Sequence, residues 1–262
     1  MNAAASIVQA CADLLEDAIR RKAVIPRLSA AHPSLTLADA YAIQDEVAAR
    51  RIARGERLVG AKLGLTSRAK QVQMQVAEPV YGQLFSGGPH PANEPFVVAS
   101  LIHPRVEPEI VFVMKDRLAG PGVTPGDVIA ATRYVCAGLE IIDSRYSDFS
   151  FTAADVVADN TSEARVVMGS VMVRPADLDL ALVGVLLDVD GVQVATACGA
   201  ATMGHPAEAV ALLANWLGAQ GRAIEAGWCV FSGGLTAAVP LAAGTHVTAT
   251  FGHLGSVTVR GV

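Results

Sequence analysis

From residue 57 to residue 262 the sequence is built of short apolar runs, rich in β-branched residues and separated by Gly and Pro. Runs of this kind predict β-strands. They outnumber the helical segments and do not alternate regularly with them, which disfavours a doubly wound parallel sheet and favours a β-rich α+β roll or barrel. The Asp190-Gly191 pair between two alternating runs predicts a hairpin turn. The runs occupy residues 57–65, 95–102, 106–114, 134–143, 164–173, 181–197, 228–233, 245–251 and 255–262.

The N-terminal part of the chain has a different pattern, which predicts two helices. Apolar residues recur at helical spacing near the start, and Thr36 followed by Asp39 indicates a capping box before a second helix. We therefore expect an N-terminal helical segment, residues 1–56, packed on a β-rich domain of residues 57–262. Further helices are expected at residues 66–74, at residues 127–133 and after Pro206.

The composition excludes several classes of protein. Hydrophobic residues make up 52% of the chain, which is too apolar for a disordered protein and predicts exposed apolar surface that a homo-oligomer would cover. A net charge of -5 provides no basic field for nucleic acid. The four cysteines are scattered, which is typical of reduced thiols in a cytoplasmic protein. No run approaches the roughly 20 apolar residues that cross a bilayer, so we expect no membrane partner.

The segment HPRVEPEIVFVM is the strongest candidate for chemistry. Side chains alternate sides along an extended chain, so Glu107 and Glu109 project from the same face. Two carboxylates on one face repel each other unless a cation lies between them, and a hard divalent ion would meet that need. A solvated strand face carrying two acids is the alternative, and it stays open on this segment alone.

Glu140 lies in the apolar run YVCAGLEIID, where an unpaired buried carboxylate would be costly. Placed beside Glu107 and Glu109, it would complete an oxygen-rich site suited to Mg²⁺ or Mn²⁺. The alternative is an ion pair between Glu140 and a nearby arginine, either Arg133 or Arg145.

Lys62 stands alone among apolar and Gly residues in VGAKLGL. Burial would lower the pKa of its ammonium group and let it exchange protons near neutrality. A lysine whose charged end reaches water is the alternative.

Two further segments are rich in groups that could contact a ligand. Asp159, Asn160 and Ser162 crowd the segment VVADNTSEARVV, which is either an Asx-rich turn or a binding site for a substrate carboxylate. The glycines of SGGLTAAV would allow close backbone approach to a ligand, although the segment lacks the ending of a phosphate-binding loop.

Several of these blocks, in this order, resemble the 2-keto-4-pentenoate hydratase and 4-oxalocrotonate decarboxylase branch of the fumarylacetoacetate hydrolase superfamily. The resemblance runs from about residue 36 to the C-terminus. It is carried by the blocks GAKLGLTSRAKQVQMQVAEPVYGQLF, HPRVEPEIVFVM, GLEIIDSRYSDFSF, VVADNTSEARVV, GHPAEAVALLANWL and FSGGLTAAVPLAAGTHVTATFGHLGSV.

The resemblance implies a β-rich roll with N-terminal helices and a divalent metal, in the meta-cleavage catabolism of aromatic compounds. By motif position, the metal ligands fall on Glu107, Glu109 and Glu140, and the active-site lysine falls on Lys62. The segment implied to face the substrate is residues 159–162, with Ser162 as the principal contact. We expect the substrate-binding residues to be Ser162, Asn160, Asp159, Val80 and Arg145.

The resemblance also bears on the reaction. Hydratases of this branch carry P-D-F-G where this chain has PVYG, so Val80 replaces a carboxylate thought to help deliver water. The blocks PVYG, IDSRY and SGGLTAAVP resemble the decarboxylases, which favours decarboxylation of the 2-oxo dicarboxylic acid 2-oxo-3-hexenedioate to 2-hydroxypenta-2,4-dienoate. The alternatives are a hydratase acting on 2-hydroxypenta-2,4-dienoate and a catalytically idle partner of a homologous hydratase. The family further implies a possible complex with such a hydratase.

Overall fold

The computed structural model describes residues 3–92 and 94–262. Strands and helices are both present, as an α+β fold requires, and the strands form two sheets. The α-helices of the described residues are α1 (Ala3–Arg21), α2 (Leu28–Ala31), α3 (Leu37–Ala53), α4 (Arg68–Met74), α5 (Pro125–Ala131), α6 (Ala153–Ala158) and α7 (Pro206–Gly218). The strands are β1 (Leu58–Gly64), β2 (Val80–Phe85), β3 (Arg105–Met114), β4 (Thr132–Ile142), β5 (Glu163–Met168), β6 (Gly184–Val189), β7 (Val192–Cys198), β8 (Cys229–Phe231), β9 (Val239–Pro240), β10 (His246–Phe251) and β11 (Gly255–Arg260).

The larger sheet has the strand order β2-β1-β8-β3-β4-β5, with β9 paired to β3. Its strands pair in antiparallel fashion except β1 and β8, which are parallel. The smaller sheet has the order β11-β10-β6-β7. The main core contains buried side chains from both sheets and from α7, among them Ile110, Leu139, Leu187, Leu213 and Val247. The β-rich roll predicted from the sequence is confirmed.

Local signals placed most elements correctly. Thr36 caps α3 through a capping box with Asp39, and Pro206 occupies the first turn of α7. Asp190 and Gly191 both adopt positive φ, 52° and 79°, as a type I′ hairpin turn requires. The N-terminal helices share a second core cluster with α6 and with the start of β2.

One predicted strand is wrong. The run at residues 95–102 contains a single 3₁₀ turn at Val98–Ser100, and only Phe96 forms a bridge, to Gly261. Val97 is 56% exposed, so this run lies along the C-terminal residues and is not inserted in a sheet. None of the helices in the described part of the chain is long and apolar enough to cross a membrane.

Candidate active site

The antiparallel pairing of β3 and β4 brings three carboxylates together. Glu107 lies directly opposite Glu140 in the register, and Glu109 lies opposite Gly138. Each of the three glutamates offers a carboxylate oxygen within 4.8 Å of the others. The prediction that Glu107 and Glu109 share a face, and that Glu140 joins them, is confirmed by this geometry. The solvated strand face is therefore wrong.

These carboxylates are buried and incompletely satisfied. Glu109 and Glu140 have no exposed surface, and Glu107 is 9% exposed. Within the described residues, Oε1 of Glu109 and Oε1 of Glu140 lack a hydrogen-bond donor, and Oε2 of Glu140 has only the Lys62 ammonium, 3.0 Å away. Buried oxygens without donors are costly, and a set of carboxylates is the donor set that hard divalent cations prefer. The residues present therefore fit a divalent metal ion.

Burial and mutual repulsion raise the pKa values of two of these carboxyl groups. Burial raises the pKa of Glu109 well above its ordinary value, and the negative charge of Glu140 raises it further. Burial also raises the pKa of Glu140, to about 7, although the Lys62 ammonium opposes the shift. A bound cation would relieve this repulsion, because it favours the charged form of every carboxylate around it.

Lys62 points into the cluster from β1. Its Nζ lies 3.0 Å from Oε2 of Glu140, although not aligned as a hydrogen bond, and it donates to the carbonyl oxygen of Thr161 at 3.0 Å. Burial alone would lower the pKa of Lys62, but the charges of Glu140 and the two other glutamates raise it on balance. The predicted lowering of this pKa is wrong, because the sequence did not show how many carboxylates surround the ammonium. The alternative of a water-exposed charged end is also wrong, since Lys62 is 2% exposed.

The glycines of SGGLTAAV lie against the carboxylates. The Gly233 backbone N–H donates to Oε2 of Glu109 at 2.7 Å. A Cβ on Gly234 would lie 2.5 Å from Oε2 of Glu107, so only glycine leaves this carboxylate in place. The close backbone approach expected of this segment therefore serves two of the glutamates.

Lys70 was not identified from the sequence. It lies on α4, and its Nζ donates to Oε1 of Glu107 at 3.1 Å. Its side chain is 33% exposed, so it covers the more open side of the cluster. No local pattern distinguishes this lysine from an ordinary surface residue, and only the placement of α4 over β3 reveals it.

The segment predicted to contact substrate makes a strained turn beside Lys62. Asn160, Thr161 and Ser162 all have positive φ, between 48° and 57°, which is unfavourable for residues with a Cβ. The Asn160 side chain is engaged with the backbone of Gln83, donating to its carbonyl and accepting from its N–H. The hydroxyls of Thr161 and Ser162 are buried without a partner among the described residues.

Arg145 and Asp159 pair with each other. The guanidinium donates to the Asp159 carboxylate and to the backbone carbonyl oxygens of Asp143, Asp159 and Glu163. Burial raises the pKa of Asp159 to about 6, while Arg145 acts in the opposite direction. The alternative pairing of Glu140 with Arg145 is wrong, because Glu140 faces Lys62.

Val80 begins β2 and pairs with Gly64 at the end of β1. Val80 is 3% exposed. Its Cγ2 and the Nζ of Lys62 both lie close to Gly64: a Cβ added to Gly64 would be 3.4 Å from Cγ2 and 3.9 Å from Nζ. An apolar side chain thus stands near the lysine, where the hydratases were expected to carry a carboxylate.

Known proteins resemble this chain over nearly its whole length. No protein-family model matches the chain. The chain is 45% identical over 253 residues to the 4-oxalocrotonate decarboxylase of Pseudomonas sp. (strain CF600), across 97% of this chain and 96% of that protein. It is 40% identical to the 2-hydroxyhexa-2,4-dienoate hydratase of Comamonas testosteroni, across 94% of both.

Among solved structures, the 4-oxalocrotonate decarboxylase from Pseudomonas putida G7, complexed with magnesium and adipate, superposes with a TM-score of 0.94. That protein is 43% identical in sequence, and the match covers 97% of each chain. The chain therefore belongs to the hydratase and decarboxylase branch of the fumarylacetoacetate hydrolase superfamily, a family of enzymes.

Proposed function

We propose that this protein is a divalent-metal-dependent decarboxylase that converts 2-oxo-3-hexenedioate to 2-hydroxypenta-2,4-dienoate and CO₂. The observation that carries the proposal is the cluster of three buried carboxylates beside the buried ammonium of Lys62. The decarboxylase of Pseudomonas sp. (strain CF600) is 45% identical to this chain, and the hydratase of Comamonas testosteroni is 40% identical. Val80 supports the same choice, because it places an apolar group near the lysine.

Glu107, Glu109 and Glu140 would hold the metal, which we propose to be Mg²⁺ or Mn²⁺. When bound, such an ion supplies Lewis-acid stabilisation of negative charge on a carbonyl oxygen. The Gly233 N–H would hold the Glu109 carboxylate in position for this role. Gly234 has no Cβ and therefore leaves room for the Glu107 carboxylate.

The reaction breaks the bond between C5 and the distal carboxylate, C6. The electron pair left at C5 delocalises through the C3–C4 double bond to the oxygen on C2, so the 2-oxo group accepts the charge. The ammonium form of Lys62, favoured by the surrounding carboxylates, can donate a proton to the resulting enolate oxygen and complete the enol product. Val80 contributes an apolar wall, where a carboxylate is less well solvated than neutral CO₂.

Of the residues expected to bind substrate, Ser162 and Val80 remain the proposed contacts. The unpartnered, buried Ser162 hydroxyl supports a contact with substrate. Because the side chains of Asn160, Asp159 and Arg145 are engaged with protein groups, we propose that they act by holding the 159–162 turn in position.

The decisive experiment supplies the purified, Mg²⁺-loaded protein with 2-oxo-3-hexenedioate and measures CO₂. Release of CO₂ with formation of 2-hydroxypenta-2,4-dienoate supports the proposal. Hydration of 2-hydroxypenta-2,4-dienoate without CO₂ release from the dicarboxylate would identify a hydratase. If the protein catalyses neither of these reactions, it is a catalytically idle relative.

The metal requirement is tested separately. Activity should disappear in excess EDTA and return with Mg²⁺ or Mn²⁺, whereas full activity after verified metal removal would contradict the metal requirement.

We further propose a cytoplasmic homo-oligomer that can associate with a homologous hydratase. The hairpin of β6 and β7 supports self-association, because Leu186, Val192 and Val194 are each more than 40% exposed there. Light scattering of the purified protein, alone and mixed with a homologous hydratase, would measure both kinds of association.

A further inference from the structure

The proposed substrate has two carboxylates, at opposite ends of a six-carbon chain. The metal site accounts for the end that carries the 2-oxo group. The distal carboxylate needs a second cationic or hydrogen-bonding partner, because a carboxylate that leaves water without one loses much of its binding energy. A hydratase substrate with a single carboxylate has no such requirement.

The cationic side chains near the site differ in how many protein groups already bind them. Lys62 is buried and faces both Glu140 and the Thr161 carbonyl oxygen. Arg145 is committed to Asp159 and to three backbone carbonyl oxygens. Within the described part of the chain, the other cation in contact with the carboxylate cluster is Lys70.

The helix that carries Lys70 is lightly packed. Gln71 is the one buried residue of α4, and Val72 is 63% exposed. The helix is preceded by Leu65 and followed by Gln75, both with positive φ, so the chain turns sharply on either side of it. The Lys70 side chain is also 33% exposed, at the more open side of the cluster, where a ligand could reach it.

The present partner of Lys70 is Glu107, one of the three metal ligands. When Glu107 donates its electron pairs to a divalent cation, it has less negative charge to offer an ammonium group, and the cation repels that group. Lys70 then becomes available for another anion.

We propose that Lys70 binds the distal carboxylate of the substrate, and that it becomes available when Glu107 ligates the metal. This inference rests on the proposed function, since it assigns a residue to the second carboxylate of that substrate. Lys70 thereby contributes to the preference for a dicarboxylate over a monocarboxylate.

The test measures binding by titration calorimetry on the Mg²⁺-loaded protein, with adipate and hexanoate as non-reacting probes. Lys70→Met should weaken adipate binding about 10-fold, the usual scale for losing a charge-assisted hydrogen bond, and leave hexanoate within about twofold. Lys70→Arg should retain most of the adipate affinity. Arg68→Met, which removes the same charge from an exposed position on the same helix, should change neither.

Magnesium titration of the metal-free variants tests the exchange of partners. Lys70→Met should bind Mg²⁺ more tightly than the wild type, because a competitor for Oε1 of Glu107 is gone. Unchanged or weaker Mg²⁺ binding would contradict the exchange. The carboxylate assignment is overturned if Lys70→Met weakens both probes equally or neither, or if the wild type does not prefer adipate.

Turnover separates this inference from the proposed function. If 2-oxo-3-hexenedioate is decarboxylated, Lys70→Met should raise KM about 10-fold without lowering kcat, because the distal carboxylate loses its negative charge as CO₂ departs and Lys70 binds it in the ground state. CO₂ release that is indifferent to Lys70 would overturn the assignment of Lys70 alone. A Lys70-dependent preference for adipate without CO₂ release would overturn the proposed reaction alone.

Discussion

Two groups of buried charges in this protein contrast in how well they are satisfied. Around Arg145 the guanidinium donates to the Asp159 carboxylate and to backbone carbonyl oxygens, so the charge is balanced within the fold. Around Lys62, three carboxylates share one buried ammonium, and Oε1 of Glu109 and Oε1 of Glu140 have no donor among the described residues. Removing one partner of a satisfied buried ion pair destabilises the fold. Buried carboxylates without donors instead provide ligand atoms for a cation.

The strongest test of the contrast replaces Glu109 by Gln. The variant keeps an acceptor for the Gly233 N–H but loses one metal-binding charge, so activity should fall about 1000-fold and Mg²⁺ affinity should fall with it. The metal-free variant should melt at a higher temperature than the wild type, since a buried charge has been removed. Glu78→Gln, at an exposed position, is the charge-matched control. A metal-free variant less stable than the wild type would show that the cluster, too, is structural.

Arg145→Met should destabilise the protein, in contrast to the stabilisation expected of metal-free Glu109→Gln. It leaves Asp159 buried without its partner, so the free energy of unfolding should fall by about 3 kcal/mol in denaturant titrations. The double variant Arg145→Met/Asp159→Asn should recover part of this loss, because no uncompensated charge remains. A single variant as stable as the wild type would contradict a structural role for the pair.

Lys62→Ala should lower kcat about 100-fold, the usual scale for losing a proton donor or acceptor. The pH dependence of the residual activity should also change, which loss of packing alone would not produce. A kcat near the wild-type value would exclude Lys62 from proton transfer.

The pH dependence of stability should distinguish metal-free from metal-loaded protein. The raised pKa values of Glu109 and Glu140 mean that the folded, metal-free protein binds protons more tightly than the unfolded chain. The penalty for ionising these buried groups is therefore relieved as the pH falls, and the metal-free protein should melt at a higher temperature at pH 6 than at pH 8.

Mg²⁺ should reverse this trend, because it binds the ionised carboxylates. For each proton that it displaces, its apparent affinity should weaken about 10-fold per pH unit below the pKa of about 7 of Glu140. Thermal melts across this range, with and without Mg²⁺, measure both effects. A metal-free melting temperature that rises with pH would contradict the assigned direction of the shifts.

The outcomes for individual residues show where sequence reasoning ends. Alternation along β3 placed Glu107 and Glu109 on one face, and the cost of a buried charge singled out Glu140. The contact of Lys70 with Glu107, the pairing of Arg145 with Asp159 and the direction of the Lys62 pKa shift depend on contacts between segments that local sequence patterns do not place together. The domain boundaries at 1–56 and 57–262 remain a prediction.

What the sequence determined by itself was local: strand and helix periodicity, the capping box at Thr36, the turn at Asp190-Gly191 and the shared face of two glutamates. Each follows from the geometry of a few consecutive residues. The sequence also indicated Glu140 and Lys62 as members of the site, but the tertiary structure decided the register that puts Glu140 opposite Glu107, the contact of Lys62 with Glu140, and the pairing of Arg145 with Asp159. The reason is that electrostatic energy depends on distances through space, and these are set only when the strands pair and the helices pack.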